Sequence, residues 1–135
     1  GIGTVSINGY HFPDGTLYAV TEFAVGVGGY DPTAPGTVVA VNPADVALAT
    51  EIWRGPLTHV QYQAPTPPWS VQYWCRLPQS QAVQGIGEVG LYAEILWSPF
   101  PWEIGTTFLW AVQHMPLQTR HANAVGLFVL QVDYP

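Results

Sequence analysis

Strict alternation in one glycine-rich stretch, 85–95, constrains this chain more than any other feature. The stretch reads Gly85-Ile86-Gly87-Glu88-Val89-Gly90-Leu91-Tyr92-Ala93-Glu94-Ile95. From Glu88 onward, Val89, Leu91, Ala93 and Ile95 point one way, and Glu88, Gly90, Tyr92 and Glu94 the other. A period of two with one apolar face predicts a half-buried strand. Its glycine-rich start suits a tight turn or a close backbone approach. A second alternating run, Thr106–His114, follows a loop rich in Pro and Trp. The two runs are close enough in sequence to pair antiparallel. The intervening Ser98–Gly105 is too long for a tight turn to set their register.

The rest of the chain repeats this pattern. Leu17–Val27 is apolar on both faces apart from Glu22, which predicts a central strand. Thr58–Ala64 alternates and Ser70–Leu77 reads as a further strand, and Ala124–Asp133 is the expected last strand, largely apolar on both faces, with Phe128, Leu130 and Val132 opposing Leu127 and Val129. In Ser70–Leu77, Val71, Tyr73 and Cys75 are expected inside, with Gln72, Trp74 and Arg76 outside. Tyr30–Thr37, Pro78–Gln84 and Met115–Asn123 read as loops. One helix is expected, Pro43–Thr50: Asn42 is a good N-cap, Pro43 suits the first helical position and Asp45 the first turn. At the N-terminus, Thr4–Ile7 reads as a strand, and Asn8-Gly9 signals a hairpin turn returning through Tyr10–Phe12. The expected architecture is mainly β: an antiparallel β-sandwich-like domain over residues 17–135 with one short α-helix at about 43–50, preceded by an arm or hairpin at 1–16.

Composition narrows the function. The chain of 135 residues is 48% hydrophobic and only 9% charged, which excludes ordinary disorder. Gly and Pro together occur at about twice their usual share, in keeping with many loops and few helices. Three Arg, no Lys and nine acids give a net charge of −6. Nucleic-acid binding needs a basic stripe, so it is excluded, as is an anionic membrane surface. No run of ~20 apolar residues points to membrane insertion, and no secretory signal is recognisable. Gly1 is not an initiator Met, so the chain is expected to be processed or part of a longer one. So little charge beside so much apolar surface points to a surface covered by other copies or partners.

Catalytic chemistry finds no constellation. His11, His59, His114 and His121 lack metal spacing on any one element, which leaves only a metal shared on a threefold axis. Glu88 and Glu94 lie on one face of one strand but roughly 20 Å apart, too far for a glycosidase pair. Gly28-Gly29 lacks the Lys-Ser/Thr of a phosphate loop, and no nucleophile elbow is present. The chain is therefore read as no enzyme, with no catalytic residues, no metal and no cofactor. Cys75, the lone cysteine, reads as a buried apolar thiol. Glu22, an acid on an apolar strand, is expected to form a structural ion pair with Arg76, or else with Arg54. Trp is the richest signal. Trp69 and Trp74 flank one Pro-rich turn, and Trp97 and Trp102 flank Ser98-Pro99-Phe100-Pro101. Trp69, Trp74, Trp97, Phe100 and Trp102 are candidates for a protein interface or a sugar-stacking platform, with packing onto the core as the plain alternative.

Five segments also carry a family resemblance. EFAVGVGGYDP (22–32) and VNPADVALATEIWRGPL (41–57), then GIGEVGLYAEI (85–95), GTTFLWAVQHMP (105–116) and VGLFVLQVDY (125–134), resemble in order and spacing a bacteriophage tail-fibre or tail-collar protein domain. The resemblance covers roughly Thr21 to Tyr134. One departure is the stretch before the last strand, where the family tends to carry Lys or Arg and this chain has Arg120 followed by His121-Ala122-Asn123. The resemblance implies a homotrimeric virion component of the phage tail, assembled in the bacterial host cytoplasm. It would attach a fibre to the baseplate or tail through other tail proteins. The alternative is a receptor-binding module whose Trp-rich loops take a host surface glycan.

Overall fold

Eleven strands and one turn of 3-10 helix make up the regular structure of the computed structural model, which describes residues 2–4, 6–7, 15–41, 46–63, 69–78, 85–118 and 126–134. In chain order these are β1 (Ile2–Thr4), β2 (Ser6–Ile7), β3 (Leu17–Gly26), β4 (Tyr30–Asp31), β5 (Ala34–Val38), β6 (Glu51–Pro56), β7 (His59–Gln63), β8 (Trp69–Leu77), β9 (Ile86–Trp97), β10 (Thr107–Gln118) and β11 (Gly126–Tyr134). They form a four-stranded sheet in the order β1-β11-β8-β7 and a five-stranded sheet in the order β2-β10-β9-β3-β6. The mainly β, sandwich-like class expected from the sequence is the class observed. Pairing is antiparallel except where β1 runs parallel to β11.

The two sheets pack face to face through the alternating apolar positions. Val71, Tyr73, Cys75, Leu77, Leu130 and Val132 come from the four-stranded sheet, and Phe23, Val25, Val89, Leu91, Ala93, Trp110 and Ala111 from the five-stranded one. These side chains form one buried cluster, the sandwich core. The register of β9 with β10 breaks between Leu109 and Ala111. This bulge inserts Trp110 as an extra residue, and its indole meets Tyr73 edge-on at 5.8 Å across the sandwich. Cys75 is fully buried, and burial pushes its thiol up to about 12.

β3 lies between β9 and β6, so its two apolar faces are explained by an interior place in the sheet. Its outer side is covered by the chain itself: Val41 and Leu48 pack over Ala24, Tyr92, Leu109 and Val112.

Several expectations need correction. The segment that covers the outer face is not helical where it is described: residues 46–47 form a bend and 49–50 a turn, and Asn42–Asp45 lie outside the described residues. Local capping signals promised a helix, but the amides of Ala49 and Thr50 bond a side chain of the sheet below instead. Tyr30–Thr37 is not a plain loop, since β4 and β5 pair as a small hairpin. β10 runs past the expected end at His114 to Gln118. Its register with β9 shifts between His114 and Gln118, where Pro116 supplies no ladder N–H. At the N-terminus, the expected return strand Tyr10–Phe12 lies outside the described residues. β1 pairs with β11 and β2 with β10, so the arm touches both sheets.

Candidate functional site

Two places on β9 gather the chemistry of the molecule. At its start, the carboxylate of Glu88 lies only 1% exposed. Alternation put Glu88 on the outer face of its sheet, and it is there, but that face is covered. Its Oε1 accepts from the backbone N–H of Thr50 at 2.8 Å and of Gly28 at 3.3 Å, and its Oε2 from that of Ala49 at 3.1 Å. A buried charge is tolerated where directed donors replace water, and amide donors to a carboxylate are among the stronger protein hydrogen bonds.

The surrounding glycines make room for this group. A Cβ on Gly26 would overlap the Glu88 carboxylate and the Thr50 carbonyl, and one on Gly87 would overlap the Gly28 carbonyl and the Tyr30 ring. Gly29, at φ +87°, sits against the imidazole of His114. His114 is the cross-strand partner of Glu88, and its Nδ1 lies 2.7 Å from the Val39 carbonyl oxygen. A carbonyl oxygen only accepts, so that nitrogen carries the hydrogen. The junction thus ties β9, β10, the β3–β4 connection, the 46–50 turn and the segment just after β5 together.

At the other end of β9 the same strand leaves the core. Leu96 and Trp97 are exposed, and the β9–β10 connection carries exposed Phe100, Trp102 and Ile104 beside them. Trp102 is 73% exposed. The Phe100 and Trp102 rings lean on each other at 5.1 Å, tilted by 37°. The connection holds its own shape. Ser98 Oγ donates to Glu103 Oε2 at 2.7 Å and accepts from the Phe100 N–H at 3.1 Å. Thr106 Oγ1 donates to the Glu103 carbonyl at 2.6 Å, and a 3-10 turn spans Pro101–Glu103. Gly105 closes the turn at φ +88°, donating its N–H to the Ile95 carbonyl. Leu17 and Tyr18, which start β3 opposite Trp97 and Ile95, extend the same apolar patch.

The structure therefore divides the five aromatic candidates. Trp97, Phe100 and Trp102 share this hairpin end. Trp74 lies apart, on the outer side of the four-stranded sheet, edge-on to His59 at 6.2 Å. The side chain of Trp69 lies outside the described residues. The expected pair of Glu22 with Arg76 does not form. Glu22 lies on the outer side of the five-stranded sheet and Arg76 on that of the four-stranded sheet, so the core separates them. Arg54, the alternative partner, is on the same side as Glu22 and feels its charge, but its bond goes to Glu51 at 2.8 Å, and its guanidinium lies over the Tyr92 ring at 3.6 Å. Of the histidines, His11 and His121 lie outside the described residues, and among the described residues no three His, Cys, Asp or Glu side chains converge as metal donors. Sequence reasoning missed the buried role of Glu88. The available signal was the density of glycine on both segments that meet it, 26–29 and 85–90.

No family model matches this chain, and no curated protein or solved structure matches it significantly.

Proposed function

We propose that this chain is a structural module of a bacteriophage tail fibre or tail collar, and that the hairpin end of β9–β10 is the surface by which it attaches to another tail or baseplate protein. The reading rests on the sequence resemblance, and its main physical support is the braced, exposed Phe100–Trp102 pair. Exposed apolar patches rimmed by polar surface mark interaction sites, and Trp dominates interface hot spots. A loop held by its own hydrogen bonds loses little freedom on binding, which favours affinity. The module acts as a homotrimer without enzymatic activity, in the virion, after assembly in the host cytoplasm. The chain's low charge favours such a covered surface.

One observation favours a second reading. An indole as open as that of Trp102, tilted against a phenyl ring, is also a stacking platform for a pyranose of a host surface glycan. Immunogold labelling of assembled particles with antibody to this chain separates the two, run beside a glycan array. Label at the fibre–tail junction with an empty array is the expected result. Label at distal fibre tips with array binding that Trp102→Ala removes would favour the second reading, and no label on tails would overturn both.

A further inference from the structure

Among the described residues, the four-stranded sheet ends in β7, whose other side pairs with β8. An edge strand presents a row of unpaired N–H and C=O groups, and proteins usually screen such edges with Lys, Pro, a bulge or inward charges. His59-Val60-Gln61-Tyr62-Gln63 has no charged residue and no proline, and its register with β8 is unbroken. Two further observations concern its faces. Tyr62 is 80% exposed, although it shares the inner side of the strand with Val60, which packs on the core. On the opposite side, Gln61, Gln72 and Gln131 stand in register across β7, β8 and β11, with Gln72 Nε2 donating to Gln131 Oε1 at 3.5 Å.

We propose that β7 pairs antiparallel with β7 of a second copy of this chain, about a two-fold axis at Gln61. In that register Gln61 faces Gln61 of the second copy, and the glutamine row continues across the joint. Val60 faces Tyr62 of the second copy, and Tyr62 faces its Val60. A β-branched residue opposite an aromatic one is a favourable cross-strand pair, and the two-fold makes it twice. Sliding by one step that keeps the faces matched loses both Val60–Tyr62 pairs: Val60 then meets Val60 with Tyr62 opposite Thr58, or Tyr62 meets Tyr62. Slides that do not keep the faces matched set the inner side of one sheet against the outer side of the other. The two four-stranded sheets thus join edge to edge, and the exposed tyrosines become covered.

The contact does not depend on the phage reading, and it uses a different sheet from the hairpin end. A head-to-tail ring of three and a two-fold edge contact also differ in the masses they produce: the ring alone gives trimers, the edge gives dimers, and both together give hexamers. Cysteine cross-linking and native mass spectrometry test it on the full chain. Gln61→Cys should form a disulfide-linked dimer on mild oxidation. Tyr62→Cys should not, because a diagonal pair across this register lies beyond the ~7 Å limit for a disulfide. Cys75 is buried and stays out of the reaction. The wild-type chain should show even-numbered assemblies, and Tyr62→Lys should weaken them about tenfold or more by setting charge into both cross-strand pairs. Odd-numbered species only, a mass distribution unchanged by Tyr62→Lys, or no cross-link through residue 61 would each overturn the proposal.

Discussion

The two ends of β9 are built in opposite ways. At Ile86–Gly90 every residue is buried, and several backbone segments crowd against the strand. At Leu96–Trp97 the strand is exposed and runs into a connection that bonds mainly to itself. The first end needs glycine to let backbones approach, and a buried carboxylate to accept the amides they bring. The second end satisfies its turn locally through Ser98, Glu103 and Thr106, with Gly105 supplying the positive φ. Its aromatic side chains Phe100 and Trp102 are exposed and stand outside the buried core. Crowded folding contacts and an exposed apolar surface thus occupy different ends of one strand.

Substitutions at the two ends should separate accordingly. Glu88→Ala removes the acceptor of buried amides and leaves a void, so it should cost about 3–5 kcal/mol. Glu88→Gln keeps the shape and should cost about 1–3 kcal/mol. Urea unfolding of both variants gives the values, and a midpoint unchanged in Glu88→Ala would show that the junction is dispensable. Gly87→Ala should follow at about 2–4 kcal/mol, because the added methyl meets the Gly28 carbonyl oxygen, which is backbone and cannot rotate away.

Alkaline pH gives a graded effect centred on the core between the two ends. The Cys75 thiol is raised from 9.0 to about 12. Its protonated form is favoured on folding, so its contribution is intact below pH 9 and falls away as pH climbs from 9 towards 12. Cys75→Ala should flatten that part of a stability–pH profile, and identical slopes in the two proteins would contradict the assignment. The smallest effect on stability belongs to the hairpin end. Trp102→Ala should change it by less than about 0.5 kcal/mol, as at other exposed positions, while partner or glycan binding falls. A large drop in melting temperature would mean that the indole packs on the fold.

How far the sequence revealed this depends on what each feature needed. Period-two alternation is local, so Leu17–Gly26, Trp69–Leu77 and Ile86–Trp97 were legible as strands, with Val71, Tyr73 and Cys75 correctly facing inward. The aromatic content of the hairpin connection was also legible, because Trp and Pro mark it whatever surrounds it. Glu88 was placed on the right face with the wrong environment, since its cover comes from residues 38 or more positions away. The same long-range contact engages residues 49–50 of the helix expected over 43–50, whose described part, 46–50, is not helical. Asn42-Pro43 and Asp45 are real local signals, but the Glu88 carboxylate takes the amides of Ala49 and Thr50. Pairing Glu22 with Arg76 failed for a related reason: alternation gives the side of a strand, and not which sheet of the sandwich the strand joins.

The separation of the two ends is tested most directly by residue-resolved hydrogen exchange of Glu88→Gln against the unsubstituted chain. The amides of Gly28, Ala49 and Thr50 should exchange faster in the variant, because their acceptor is weakened. Those of Phe100, Glu103 and Gly105 should keep their rates, because their acceptors lie within the hairpin end. Unchanged protection at Gly28, Ala49 and Thr50, or equal acceleration at both ends, would contradict it.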